Sequence, residues 1–134
     1  MRNTLSYEIG KYYAKDLLKF GLEYLNNNAN EKYLNYYDYD ALKYGMSVTH
    51  LFTERITGFM SVSRQDRVFR SRTLLSDARV KEKDRQYSVT TALYYTLNKS
   101  LTFGLNYSYR QNYSNVATER YSGSLISVST YYKF

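Results

Sequence analysis

The chain contains no cysteine, no proline and no tryptophan, and its only histidine is His50. Without cysteine there is no disulfide framework and no thiolate metal site. Without proline there is neither a stiff linker nor a Pro-rich disordered tract. One imidazole and no thiol cannot assemble a transition-metal constellation, and a hydrolase of the Ser/His or Asp/His kind needs that imidazole beside its partner. No apolar run approaches the ~18 residues of a transmembrane helix, and the mean hydropathy is -0.61. That leaves open a membrane barrel, whose strands are apolar on one face only. A Gly-rich phosphate loop is absent. The carboxylates Asp38, Asp40, Asp77, Glu82 and Asp84 lack the spacing of a calcium loop. Residues 1–20 do not read as a signal peptide, because Glu8, Lys11, Lys15 and Asp16 interrupt any apolar core. These absences leave no cofactor to expect and point away from an enzyme.

What the 134 residues do contain is aromatic and alternating: 18 Tyr and 6 Phe, residue types that fit a pleated surface. Period-two alternation dominates. Leu5, Tyr7 and Ile9 alternate with polar residues, as do Leu18, Phe20, Leu22 and Tyr24, then Leu42 to Phe52. Ile56, Met60 and Val62 form the weakest such run, with Phe59 on the polar side. Three clear runs follow: Tyr87 to Leu97, Leu101 to Tyr109, and Ile126 to Phe134. This predicts seven strands. The links between them alternate in length. Ala14–Asp16, Thr53–Arg55 and Asn98–Ser100 are turn-sized, whereas 26–40, 66–85 and 112–120 are long. Such a rhythm puts tight turns at one end of an up-and-down meander and long loops at the other, as in outer-membrane barrels. Phe20-Gly21-Leu22-Glu23-Tyr24 recurs as Phe103-Gly104-Leu105-Asn106-Tyr107, an internal repeat of one hairpin unit.

The polar face is mostly serine, threonine, glycine and asparagine, which suits a hydrated or crowded lumen. The apolar face carries aromatics toward both ends, Tyr24, Tyr44, Tyr87 and Tyr109 at one and Tyr13, Phe52, Tyr95, Tyr132 and Phe134 at the other. Two aromatic belts around an aliphatic middle form the interfacial pattern of a membrane barrel. Parity places His50 on that apolar face near a short turn, as an interfacial residue and not a base. The fold expected is therefore all-β, an antiparallel up-and-down transmembrane β-barrel of seven to eight strands, with 1–134 forming a single domain. A barrel with a periplasmic N-terminus needs an even number of strands, so an upstream strand is expected and these residues read as the C-terminal part of a larger barrel. The rival is an eight-stranded closure with a further strand inside 26–40.

The net charge is +7. Lys19, Glu23, Lys43 and Arg110 would project into the lumen, to set ion selectivity or to pair with one another. Arg67, Arg70, Arg72, Arg79, Lys81, Lys83 and Arg85 concentrate in the expected loop 66–85, where they would contact anions such as lipopolysaccharide phosphates or an anionic polysaccharide, or stay merely solvated. A soluble basic all-β domain that stacks bases on tyrosine is the alternative of a different class. The aromatics track strand ends instead of the basic residues, so no nucleic-acid partner is expected.

The closing residues Ile126, Val128, Tyr132 and Phe134 resemble the C-terminal signature of bacterial outer-membrane proteins. That resemblance implies an assembly signal read by the barrel-assembly machinery, and an integral outer-membrane location among lipid and lipopolysaccharide. Ser63-Arg64-Gln65-Asp66-Arg67, Lys83-Asp84-Arg85 before Tyr87, Leu101 to Tyr109, Ser114-Asn115 and the last strand resemble the final strands of two groups. One is the barrel domain of surface lipoprotein assembly modifiers. The other is a group of β-barrel porins tied to polysaccharide export. Either resemblance implies non-catalytic passage or export, with a lipoprotein or a polysaccharide as cargo.

Overall fold

A computed structural model describes residues 2–28 and 35–133. Seven strands follow one another: β1 Arg2–Tyr13, β2 Asp16–Asn27, β3 Tyr39–Thr53, β4 Ile56–Thr73, β5 Lys81–Thr96, β6 Leu101–Ser114 and β7 Tyr121–Tyr132. They form one antiparallel sheet in sequence order, an up-and-down meander. Among the described residues no pairing joins β1 to β7, so the sheet is open. Single 3-10 turns at Asn35–Tyr37 and Ala117–Glu119 sit in two of the long connections. Of the stretch 26–40 weighed for an eighth strand, 26–27 belong to β2, 35–37 to the first 3-10 turn and 39–40 to β3, and residues 29–34 lie outside the described residues.

Local chemistry fixes the tight ends. Ala14 takes φ 37 in the two-residue β1–β2 turn. Thr53 Oγ1 accepts the N–H groups of Arg55 and Ile56 at 3.2 and 3.1 Å. Asn98 Oδ1 accepts those of Ser100 and Leu101 at 2.9 and 3.0 Å. Both side chains stand in for the turn's missing backbone partners.

Directly opposed residues share a face, so register sorts the side chains. One row runs Ile9, Phe20, Met46, Val62, Val89, Tyr109; another runs Lys11, Leu18, Val48, Met60, Thr91, Tyr107, Ile126. On the opposite face run Glu8, Gly21, Gly45, Ser63, Ser88, Arg110 and Gly123. The polar face is concave, since Arg2 of β1 and Arg110 of β6 line the same cavity. The apolar face is therefore convex, and it stays uncovered: Leu22 is 41%, Leu93 48% and Val128 77% exposed. The described buried hydrophobics are Leu25, Ala41, Phe69 and Ala92, and no large side chain is fully buried. By their register these four lie on the polar side. The oily side chains do not converge on a shared interior.

One expectation needs correcting. Residues 66–85 are mainly strand, and the β4–β5 connection is only 74–80. Arg67, Arg70 and Arg72 ride on β4, Lys81, Lys83 and Arg85 on β5, and only Arg79 lies in the connection. The high charge density that reads as a solvated loop is held in register as opposite charges. Asp66 faces Arg85 and Arg67 faces Asp84 across the ladder, pairs that each stabilise an antiparallel sheet by ~0.2–1 kcal/mol. A register shift between Val68 and Thr73 then changes the parity of β4.

Candidate functional site

The concave face holds a polar cavity of about 670 Å³ whose walls run from β1 to β6. Ser61, Ser63, Ser88 and Thr90 line it between the charges. Ser63 and Ser88 continue a row that runs through Gly45 and Gly21, so across four strands nothing longer than a hydroxymethyl stands up in that row. Gly45 is required there by close approach. A Cβ would meet the Val62 carbonyl oxygen at 2.6 Å and Ser63 Cβ at 2.8 Å.

Charges flank this row, and the register brings Lys19, Glu23, Lys43 and Arg110 to the concave side as the alternation predicts. Lys43 stands across from Glu23 with 3.6 Å between charged atoms. Lys19 donates to Glu8 at 2.7 Å. Arg110 is different. It faces Ser88 and Gly123, it is exposed, and among the described residues it has no carboxylate partner. The four residues are therefore two ion pairs, one with Glu8 as an extra member, plus a lone guanidinium.

Toward the long connections the concave face closes over a cluster that the sequence reading missed. Arg72 donates to Glu82 Oε1 and to the Tyr36 carbonyl, both at 3.0 Å. Its guanidinium lies 4.1 Å from the Tyr36 ring centre and 4.3 Å from that of Phe69. Arg67 sits 4.7 Å over the Tyr39 ring, with Nη1 3.9 Å from Asp84 Oδ2. Among the described residues Arg67 Nε and Asp84 Oδ1 are buried without a hydrogen-bond partner. Glu82 and Asp84 are both buried, and charges in such a place persist only when paired. Arginines stacked on rings tie the β2–β3 connection to β4.

On the convex face, Arg70 also anchors the β2–β3 connection. Its Nε and Nη2 donate to Asp40 at 2.8 and 2.7 Å, and its backbone N–H reaches the Asp38 carbonyl at 2.9 Å. Asp40 lies two rows beyond Tyr44, past the apolar band. The Arg70 hydrogen bonds, helped by Tyr24 and Asn26, hold its carboxyl at about 2 against the opposing effect of burial. His50 lies on the same face near a short turn, as its parity implies, with Nδ1 2.6 Å from Asp16 and its ring edge-on to Phe52. Ile126, Val128 and Tyr132 are exposed on β7, and Phe134 lies outside the described residues. No group of three or more His, Cys, Asp or Glu side chains suited to a metal occurs among the described residues.

The concave face thus presents hydroxyls and charges together. A family model described as "Putative beta-barrel porin 2" matches residues 34–134. Comparisons with curated proteins and with solved structures found no match.

Proposed function

The chain belongs to the putative β-barrel porin 2 family, and from that premise we propose that its sheet is part of the wall of an outer-membrane pore that passes solute without covalent chemistry. The observation that carries this reading is the convex face. Leucine, valine, methionine and phenylalanine stand on it uncovered while the concave face is hydroxylated and charged. In water an apolar surface of that extent is a liability; in hydrocarbon it is the favoured arrangement. From Tyr87 to Tyr95 on β5 the band spans roughly 20 Å once the strand is tilted by ~40°, close to the ~25 Å of a barrel's apolar girdle. Tyr44, Tyr87 and Tyr109 border it on one side, Tyr13, Phe52, Tyr95 and Tyr132 on the other, where amphipathic rings are favoured.

The edges of β1 and β7 carry unpaired backbone groups, which are costly in a bilayer core. Further strands would close them, so the sheet reads as one arc of a larger barrel with its long connections outside the cell. Ile126, Val128, Tyr132 and Phe134 would then serve the assembly machinery. Of the two groups the sequence resembles, the family match favours the porin group; surface display of lipoproteins gains no support from it, and export of a polysaccharide is the finer version of the porin reading.

The test is insertion. Full-length protein diluted from denaturant should become β-rich and protease-resistant only when detergent or phosphatidylcholine vesicles are present, and should conduct ions across a planar bilayer. A monodisperse soluble monomer obtained without either would overturn the reading.

A further inference from the structure

On β5, acid and base alternate from Lys81 to Arg85, and the strand sorts them by face. Glu82 and Asp84 turn to the concave side, where Arg72 and Arg67 take them. Lys81, Lys83 and Arg85 turn to the convex side, in line with Tyr87 below them. There Arg64 of β4 lies between the rings of Tyr44 and Tyr87, at 5.8 and 5.7 Å. Asp66 accepts from both Arg64 and Arg85, at 2.9 and 3.1 Å. Among the described residues neither Lys81 nor Lys83 has a carboxylate partner. With the Arg70–Asp40 pair on the same face, the convex margin thus has five cations to two anions, beside a cavity of about 500 Å³ whose lining includes Arg64, Lys83 and Arg85 together with Asp66 and Asp84.

Cations directly above an apolar, tyrosine-bordered band sit where lipid headgroups lie. We infer that this margin binds the phosphate groups of the outer-leaflet glycolipid, lipopolysaccharide, with its acyl chains lying down the apolar band. The inference rests on the membrane reading given under Proposed function. Two features select this ligand. The patch stands at the long-connection end, which faces outward in that reading. From Lys81 to Arg85 the strand covers roughly 13 Å, enough to engage more than one phosphate of a single headgroup through charge-assisted hydrogen bonds. Glu82 is held by Arg72 at 3.0 Å and Asp84 lies 3.9 Å from Arg67, so among the described residues neither acid forms an ion pair with these lysines.

The experiment compares full-length protein with the double variant Lys81→Gln, Lys83→Gln, which leaves every described ion pair intact. Both are refolded into phosphatidylcholine vesicles, alone or containing either lipopolysaccharide or phosphatidylglycerol, and bound lipopolysaccharide is measured by titration. The wild type should retain lipopolysaccharide in preference to phosphatidylglycerol. The double variant should lose on the order of tenfold or more in that affinity, while inserting equally well into neutral vesicles. Unchanged affinity in the variant, or equal retention of both anionic lipids, would overturn the site and leave the barrel reading standing. Failure to insert into any vesicle would overturn both.

Discussion

At Gly104 the missing side chain is what lets the concave face pack. A Cβ there would meet Ser129 Oγ at 2.5 Å and the Tyr94 ring at 3.0 Å. Tyr94 is held in turn by Asn106 at 3.3 Å and lies 6.3 Å from the Tyr131 ring. Gly104→Ala is expected to destabilise the folded sheet by about 1–3 kcal/mol, the usual cost of overpacking, as read from urea unfolding in detergent micelles. Gly21→Ala is the control, because nothing lies within 4 Å of its added Cβ; it should leave the midpoint unchanged or raise it. Single residues were legible to the extent that parity governs them. His50 falls on the apolar side as the alternation requires, but Asp16, its partner, is 34 positions away. Periodicity names a face and says nothing about which strand comes to stand beside it.

The strands were legible where apolar and polar residues alternate and obscured where charges do. Between Val68 and Arg85 the apolar signal fades, and dense charge reads as solvated loop. Lys81-Glu82-Lys83-Asp84-Arg85 keeps the same period of two, written in sign instead of oiliness, and that was the cue to β5. The Arg67 and Arg72 cluster could not be foreseen, since the register shift after Val68 that turns Arg72 inward leaves no mark in composition. The extended β3–β4 end also has a defined response to acid. Asp40 is held at about 2, below its ordinary value of 3.8. Its contribution is therefore complete above pH 4 and is lost as pH falls through about 2. Slow exchange of the Arg70 amide, which donates to Asp38, should accordingly survive down to about pH 2–3. In Arg70→Gln the pair is absent at every pH, so the amide at position 70 should exchange faster than in the wild type already at neutral pH.

For the molecule as a whole, the concave face pairs Lys19 with Glu8 and Lys43 with Glu23, while Arg110 on β6 and Arg2 at the end of β1 have no carboxylate partner among the described residues. In the pore reading, the Arg110 guanidinium dominates the local potential beside the row of glycine and serine. Under a salt gradient across a planar bilayer, Arg110→Glu should move the reversal potential toward cation preference, and Arg110→Ala should move it part of the way. An unchanged potential in both would assign selectivity elsewhere, with the Arg67 and Arg72 cluster the next position to examine.

The two bare rims have a consequence of their own. β1 and β7 are the first and last of seven alternating strands, so they point the same way. Antiparallel zipping of one rim to the other is barred by direction alone. A neighbouring copy inserted in the same sense would bring like-pointing rims together as well, and stacking copies would repeat the mismatch at each seam. What completes an all-antiparallel wall must present opposite-pointing strands to both rims, which only an odd number of additional strands can do.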